Sequence, residues 1–304
     1  MTSEDSGPGP RRKWPGFTSA AKMWPDHADA LKSLVRALTD TVHVNYRVVD
    51  SDLMFEYIWR YVKDLPRTSP ILDAGGGWGR LALPLVVEGF PVTVLDDGPY
   101  VAEGRRVAER LGVGDGIRFV EEDLKSAKLE PESVEVVLLL EVMEYFPDTP
   151  ARIALLHSLL AALRPGGLLI ATAVDKVAMA NLQYRRLLFP REIPDLLDSG
   201  QFPDLRGYLF RPVTPSQFDA VLDGLEGVEV VDRRTLLHLD SVLQTLGGLN
   251  QTLFYYAPDL PARLLEANLK LMDDPDYRGA GFFHAAVVRK LGPGGAGLGS
   301  DGRW

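Results

Sequence analysis

Apolar residues fall in two rhythms along this chain, and the rhythm switches repeatedly between residues 68 and 175. Short, nearly continuous apolar runs lie at 71–72, 91–95, 117–120, 134–140 and 168–173. Runs of that kind suit parallel strands covered on both faces. Between them, residues 81–88, 101–111 and 151–163 carry apolar positions at helical spacing. Strand and helix in alternation predict an α/β fold with a doubly wound, mostly parallel sheet and helices on both faces. Two more apolar runs, 228–233 and 282–290, read as late strands. Residues 26–64 look helical ahead of the first strand. Leu31, Leu34, Val35 and Leu38 recur at helical spacing, and Leu53, Phe55, Ile58, Trp59 and Val62 do so again, with Ser51 or Asp52 as the expected cap of that second stretch.

The organisation predicted from these patterns is a flexible tail at 1–20, an N-terminal helical cover at 21–67, a core at 68–290 and a flexible tail at 291–304. Two insertions, at about 175–212 and 240–281, have no place in a minimal core. Structureless loops of that length are uncommon, so helices forming a lid are expected there.

The punctuation after the first strand carries the chemistry. Asp73 ends the run, glycines follow at 75, 76, 77 and 79, and a helix begins. Glycine lets the backbone reach φ > 0 and lets a ligand approach closely, and the N–H groups of the next helix would face that ligand. A dinucleotide fingerprint needs G-x-G-x-x-G. Here the spacing Gly75-x-Gly77-x-Gly79 is one residue tighter, and Arg80 stands where the third glycine would be. A carboxylate at Asp73 repels a pyrophosphate and suits an ammonium or sulfonium. The next strand closes on Asp96 and Asp97, and Asp96 lies 23 residues after Asp73. An acid about 20 residues past such glycines hydrogen-bonds ribose hydroxyls in doubly wound folds.

Asp-x-Gly-x-Gly-x-Gly, followed by acids at the ends of later strands, resembles the class I S-adenosylmethionine-dependent methyltransferases. The resemblance covers residues 68–175 well and the last two strands loosely. It implies a seven-strand sheet, S-adenosylmethionine as cofactor and S-adenosylhomocysteine as product. It also implies cofactor-binding roles for Asp73, Gly75, Gly77, Gly79, Asp96 and Asp97. Asp123 would meet the adenine amino group, with Leu124 against the ring, and Glu141 would lie beside the methionine part. Many members carry His where this chain has Tyr145, which removes a histidine base at that position.

Composition narrows the acceptor. The chain has 304 residues, 46% hydrophobic, with net charge −9 and no cysteine. Disulfides, thiolate metal sites and a cysteine nucleophile are thereby excluded, and no His/Asp/Glu spacing resembles a metal site. Arg11-Arg12-Lys13 is the only basic cluster. A nucleic-acid reader normally shows a basic stripe, so a small organic molecule is the expected acceptor rather than DNA or RNA. No apolar run nears the roughly 20 residues a membrane helix needs. A cytoplasmic monomer or homodimer is expected.

Methyl transfer from a sulfonium mainly requires alignment of the acceptor, with a base only where the acceptor loses a proton. His43, His238 and Tyr145 are the catalytic candidates. Tyr46, Arg47 and Arg211 are the candidates for holding the acceptor. His157 and His284, within a helix and a strand, read as structural. The expected function is methyl transfer to oxygen or nitrogen of a small molecule, in the manner of bacterial secondary metabolism. A second reading keeps the cofactor as a fixed charge, in a protein that binds it without transferring methyl.

Overall fold

The computed structural model describes residues 13–14, 44–98, 100–185, 197–198, 200–203, 209–239 and 259–292. Helix α1 (Val44–Val62) precedes strand β1 (Ile71–Ala74), α2 (Ala82–Val87), β2 (Val92–Asp96), α3 (Tyr100–Arg110) and β3 (Ile117–Glu121). There follow β4 (Val134–Leu140), α4 (Thr149–Ala162), β5 (Leu163–Val174), α5 (Lys176–Arg185) and a two-stranded ribbon, β6 (Phe202–Pro203) with β7 (Leu209–Phe210). Helix α6 (Pro215–Asp223), β8 (Val228–Leu236), α7 (Leu260–Asp273) and β9 (Phe283–Lys290) complete the order.

Seven strands form one sheet in the order β3-β2-β1-β4-β5-β9-β8. Strands β1 to β5 pair in parallel, with Asp73 beside both Val94 and Leu138. Strand β9 is antiparallel to β5 and to β8. The carboxyl end of β8 therefore lies on the same rim as those of β1, β4 and β5. The sequence reverses direction about β1, building outward through β2 to one edge and through β4 toward the other. That reversal between β1 and β4 is the topological switch point, the place where open α/β sheets bind ligands.

Alternation along each strand divides the core between two faces. Ile71, Val136, Leu138 and Ile170 pack with α1, α2, α3 and α7, whereas Leu72, Val137, Leu139 and Leu169 pack with α4 and α6. Each such side chain contributes roughly 1.5–3 kcal/mol when fully buried. Helix α4 starts where Asp148 accepts the Ala151 N–H, and α6 where Thr214 and Gln217 form a capping box. Two backbone groups that would otherwise go without partners are satisfied in each capping box.

Several expectations are corrected. Helix α1 runs unbroken from Val44, so Ser51 and Asp52 are buried interior positions, not caps. Strand β5 begins at Leu163, and its register shifts between Val134 and Val136 of its partner, with Gly166 at φ 84° in the irregular stretch. Trp14 falls in the span expected to be a flexible tail, yet it is buried against Phe55, and its backbone N–H donates to Glu88. The insertions supply α5, the β6–β7 ribbon and α7. The predicted positions Leu31 to Leu38, His43 and the C-terminal residues 293–304 lie outside the described residues.

Helix α1 is fastened to the far side of the sheet. The Tyr57 hydroxyl donates to Asp232 of β8, which also receives Arg234 through both carboxylate oxygens at 2.6 and 2.7 Å. Arg234 and Arg60 then share Asp273 at the end of α7. No described helix is long and apolar enough to cross a membrane.

Gly104, buried within α3, tests how closely this layer is packed. A Cβ there would stand 2.4 Å from a Phe119 ring carbon and 2.5 Å from the carbonyl oxygen of Trp78 in the glycine-rich loop. Alanine is the better helix former, but overpacking costs about 1–3 kcal/mol. Gly104→Ala is expected to lower the urea midpoint at unchanged slope; a stabilised variant would contradict the close approach of α3 to the loop.

Candidate functional site

The turn after β1 is shaped by the acid that precedes it. Asp73 is only 3% exposed, and a Cβ on Gly76 would fall 2.4 Å from its Oδ2. Only glycine passes over that carboxyl. Burial pushes the Asp73 carboxyl up to about 7, Arg80 pulls it down and Asp96 raises it further. Gly75, Gly77 and Gly79 all sit at positive φ. Among the described residues nothing lies within 4 Å of a Cβ built on Gly77, so the loop presents an open face there. The Gly77 N–H donates to Asp96 Oδ2 at 2.9 Å, and the Gly98 N–H donates to Asp96 Oδ1 at 2.7 Å. Asp96 thus ties the loop after β1 to the turn after β2, with acceptor capacity left on both oxygens. An open glycine cradle bordered by an acid with spare lone pairs fits a nucleoside ribose.

Glu141 leaves the end of β4 with φ 58°, a left-handed conformation that costs a non-glycine residue about 1–3 kcal/mol. Its N–H donates to the buried Thr172 Oγ1 at 3.1 Å. Its carboxylate takes Arg80 Nη2 at 2.7 Å. Arg80 Nη1 also meets Ser51 Oγ at 2.8 Å and Asp50 at 3.3 Å, both in α1. Neither Arg80 nor Glu144 was singled out from sequence. Arg80 reads there as a misplaced glycine. Glu144 sits in an acidic run resembling a surface turn, with no periodicity to mark it as buried.

Glu144 is fully buried in the turn after β4. Its Oε1 accepts the Val174 N–H, while its Oε2 is buried without a hydrogen-bond partner among the described residues. Burial pushes its carboxyl up to about 7. Arg152 holds the same turn by donating to the carbonyls of Met143 and Phe146, and reaches the Arg211 carbonyl at 2.8 Å. Tyr145 packs edge-on to Phe210 of β7 at 5.4 Å.

The structure therefore gathers Asp73, Gly75, Gly77, Gly79, Asp96 and Glu141 around the switch point, and sets Tyr145 on the neighbouring turn. Asp97 is exposed. Asp123 lies two residues beyond β3, exposed, with its carboxylate capping the Lys125 N–H. Leu124 packs on the α4 side of the core. Arg211 lends its backbone to the Glu144 turn. Tyr46 and Arg47 lie within the α1 backbone, and their side chains, like His43, fall outside what is described. His238 follows Leu237, which turns at φ 63° beyond β8. Its Nε2 is 3.1 Å from Thr235 Oγ1, and burial holds its pKa below the usual value. Buried Asn268 fixes that turn by accepting the N–H groups of His238 and Leu239. His157 is exposed, and His284 is buried 3.0 Å from Asp175. A shallow groove lined by Arg67, Thr68, Phe90 and Gly116 lies at the amino ends of the strands, on the opposite rim.

The Glu144 carboxyl gives this rim a pH signature. Its folded pKa is raised, so the folded chain holds a proton that the unfolded chain releases near 4.5. Its contribution to stability is present at low pH and is lost as pH rises toward about 7. Glu144→Gln removes that dependence. The stability of the variant relative to the parent is expected to rise by about 2 kcal/mol between roughly pH 5.5 and 8. Denaturant titrations at both pH values measure it, and parallel pH profiles would refute the protonated carboxyl.

Comparison with known proteins follows the same outline. A family model described as a methyltransferase domain matches residues 46–205, more than half of the chain. A ubiquinone biosynthesis O-methyltransferase of Paramagnetospirillum magneticum is 38% identical over 112 residues, 36% of this chain and 42% of that protein. Another, from Methylocella silvestris, is 30% identical over 164 residues, 47% of this chain and 62% of that protein. A tRNA 5-carboxymethoxyuridine methyltransferase of Escherichia coli is 32% identical over 108 residues, 34% of this chain and 40% of that protein. The chain thus spans less than two thirds of each of these relatives. Among solved structures, an S-adenosylmethionine-dependent methyltransferase from Methanosarcina mazei superposes with TM-score 0.52 at 17% identity, over 77% of this chain and 97% of that one. The cyclase SpnF superposes with TM-score 0.53 at 15% identity, over 94% of this chain and 100% of that one. At such identities the likeness is one of fold. With its glycine cradle at the β1–β4 reversal and an antiparallel β9 between β5 and β8, the chain belongs to the class I S-adenosylmethionine-dependent methyltransferase family.

Proposed function

We propose that this chain transfers a methyl group from S-adenosylmethionine to an oxygen or nitrogen of a small organic molecule. The observation that carries the reading is the convergence of Asp73, Asp96 and Glu141 on the glycine cradle at the switch point. When bound, the cofactor supplies a sulfonium-activated methyl group and its thioether leaving group. In this reading Asp96 holds the ribose hydroxyls, and the N–H groups of the loop line the nucleoside. The carboxylates of Asp73 and Glu141 favour the cationic end. Tyr145 and Phe210 form an aromatic wall on the acceptor side, where ring faces and edges orient an organic molecule.

Where the acceptor is a hydroxyl, its proton needs a destination. His238 is the proposed recipient. Burial holds its pKa below the usual imidazole value, and its Nδ1 makes no hydrogen bond among the described residues. Charge supports a small acceptor over RNA: the chain carries −9 overall, and long-range repulsion of phosphates follows from that balance. The ubiquinone-pathway and tRNA relatives named above supply the two acceptor classes with which to begin. Placement in bacterial secondary metabolism remains the reading of the composition.

Calorimetric titration with S-adenosylmethionine and S-adenosylhomocysteine, followed by mass spectrometry of acceptor mixtures, tests the proposal. One-site binding and a mass gain on a phenol or amine are expected; a bound cofactor never consumed across phenols, amines and tRNA would favour the fixed-charge reading instead. Asp96→Ala is expected to weaken cofactor binding at least tenfold, since each charge-assisted hydrogen bond is worth roughly 1.5–3 kcal/mol. Unchanged affinity in that variant would remove Asp96 from the site.

A further inference from the structure

The groove at the amino ends of the strands lies on the rim opposite the glycine cradle. It holds about 430 Å³ and is bordered by Arg67 and Thr68 before β1, by Val86 and Phe90 around the end of α2, and by Pro91 and Gly116 ahead of β2 and β3. Among the described residues that line it, Arg67 is the one charged group. Its guanidinium is half-buried and fixed in place. The Cζ atom sits over the Phe90 ring at 4.4 Å and over the Trp59 ring of α1 at 5.3 Å. The methylene stem runs past Gly89, where a Cβ would stand 3.8 Å from Cδ. None of these contacts offers an oxygen to an N–H group. Among the described residues the guanidinium has no hydrogen bond and no ion pair, and Nη1 is fully buried in that condition. Arg60, Arg80 and Arg234 each meet a carboxylate, and the more deeply buried Arg152 meets three carbonyl oxygens. Glu88 is next to Gly89 in sequence, but its Oε1 takes the Trp14 N–H instead. A partly desolvated cation without a counter-charge is costly to hold, and its N–H groups stay available to an outside acceptor.

We propose that this groove binds a small organic carboxylate, with the carboxylate on the N–H edge of Arg67, the Thr68 hydroxyl as a second donor, and the apolar body against Val86 and Pro91. Three features set the ligand class. A guanidinium edge matches the two oxygens of a carboxylate. The remaining walls are apolar, so an organic anion covers surface that a bare ion would leave wet. One cation and one hydroxyl give a doubly charged phosphate fewer donors than its oxygens call for. The ring contacts also hold Arg67 in place beforehand, which lowers the ordering cost of binding. The groove and the cradle lie on opposite rims, so this site stands or falls apart from the cofactor reading.

The other role open to Arg67 is purely structural, as a cover over Phe90 and Trp59, and the two roles separate in a binding experiment. The probes are benzoate, its neutral isostere benzamide, and inorganic phosphate. Each is titrated into the isotope-labelled protein while the amide signals of Thr68, Gly89 and Gly116 are followed by NMR. Benzoate is expected to shift these signals saturably and to bind about tenfold more tightly than benzamide, as one charge-assisted contact implies. Phosphate is expected to bind more weakly than benzoate. Groove signals that ignore benzoate, or respond equally to benzamide, overturn the site; an equal response to phosphate overturns the organic carboxylate. Arg67→Gln is expected to abolish the benzoate response, and a response retained there overturns the role of Arg67. Because that change also removes the ring contacts, Thr68→Glu keeps the proposal testable with Arg67 unaltered. A carboxylate installed in the groove is expected to compete for the guanidinium and to cut benzoate affinity about tenfold relative to Thr68→Gln. Equal affinity in those two variants overturns the assignment.

Discussion

A carboxyl group buried at the end of β1 is the constraint on which the site depends. Asp73 is almost wholly buried, and its charged form is correspondingly disfavoured. The chain meets that cost locally. Position 76 carries no side chain, because any Cβ would collide with the carboxyl. Arg80 supplies opposite charge, and the loop folds back so that Asp96 can hold it through Gly77. The glycines, the arginine and the second acid are one solution to the burial of one group. A cationic ligand would complete that solution by favouring the charged form of Asp73.

The parallel half of the fold was legible because its strands are buried on both faces. Runs such as Val136 to Leu139 leave no exposed side to dilute the apolar signal. The glycine spacing and Asp96 were equally plain, since both answer to local geometry. What sequence did not yield depends on distant partners. Ser51 and Asp52 look like caps until α7 and β8 hold α1 against the sheet and extend the helix past them. Arg80 looks like a flaw in a glycine pattern until Glu141 and Ser51 are brought to it across 61 and 29 residues. Glu144 has the appearance of a solvated acid until Val174 arrives from the neighbouring strand. Asp123 is a different case: it stands exposed two residues beyond β3 and accepts the Lys125 N–H, and its adenine role rests on the resemblance alone.

Two polar networks divide the work of fixing α1. One runs through Asp232, Arg234 and Asp273 at the β8 side, the other through Arg80 at the cofactor side. The first couples the N-terminal helix to the last helix of the chain, and the second couples it to the glycine loop. Residues separated by more than two hundred positions thereby share responsibility for the shape of one crevice. Helix α1 is part of the site's frame, and the sheet alone would not close it.

The reversed direction of β9 has a consequence for how such a molecule can diversify. Because β9 descends where β8 ascends, the excursion joining β8 to β9 leaves and returns at one rim, and the excursion after β5 comes back to that same rim at Val213, whose N–H donates to the Val174 carbonyl. Neither passes through the register of β1, β2 and β3, where the cradle is set. Lengthening or rewriting either excursion leaves the cradle's pairing untouched. The architecture thus separates a half that carries the cradle from a half free to vary in length without disturbing it.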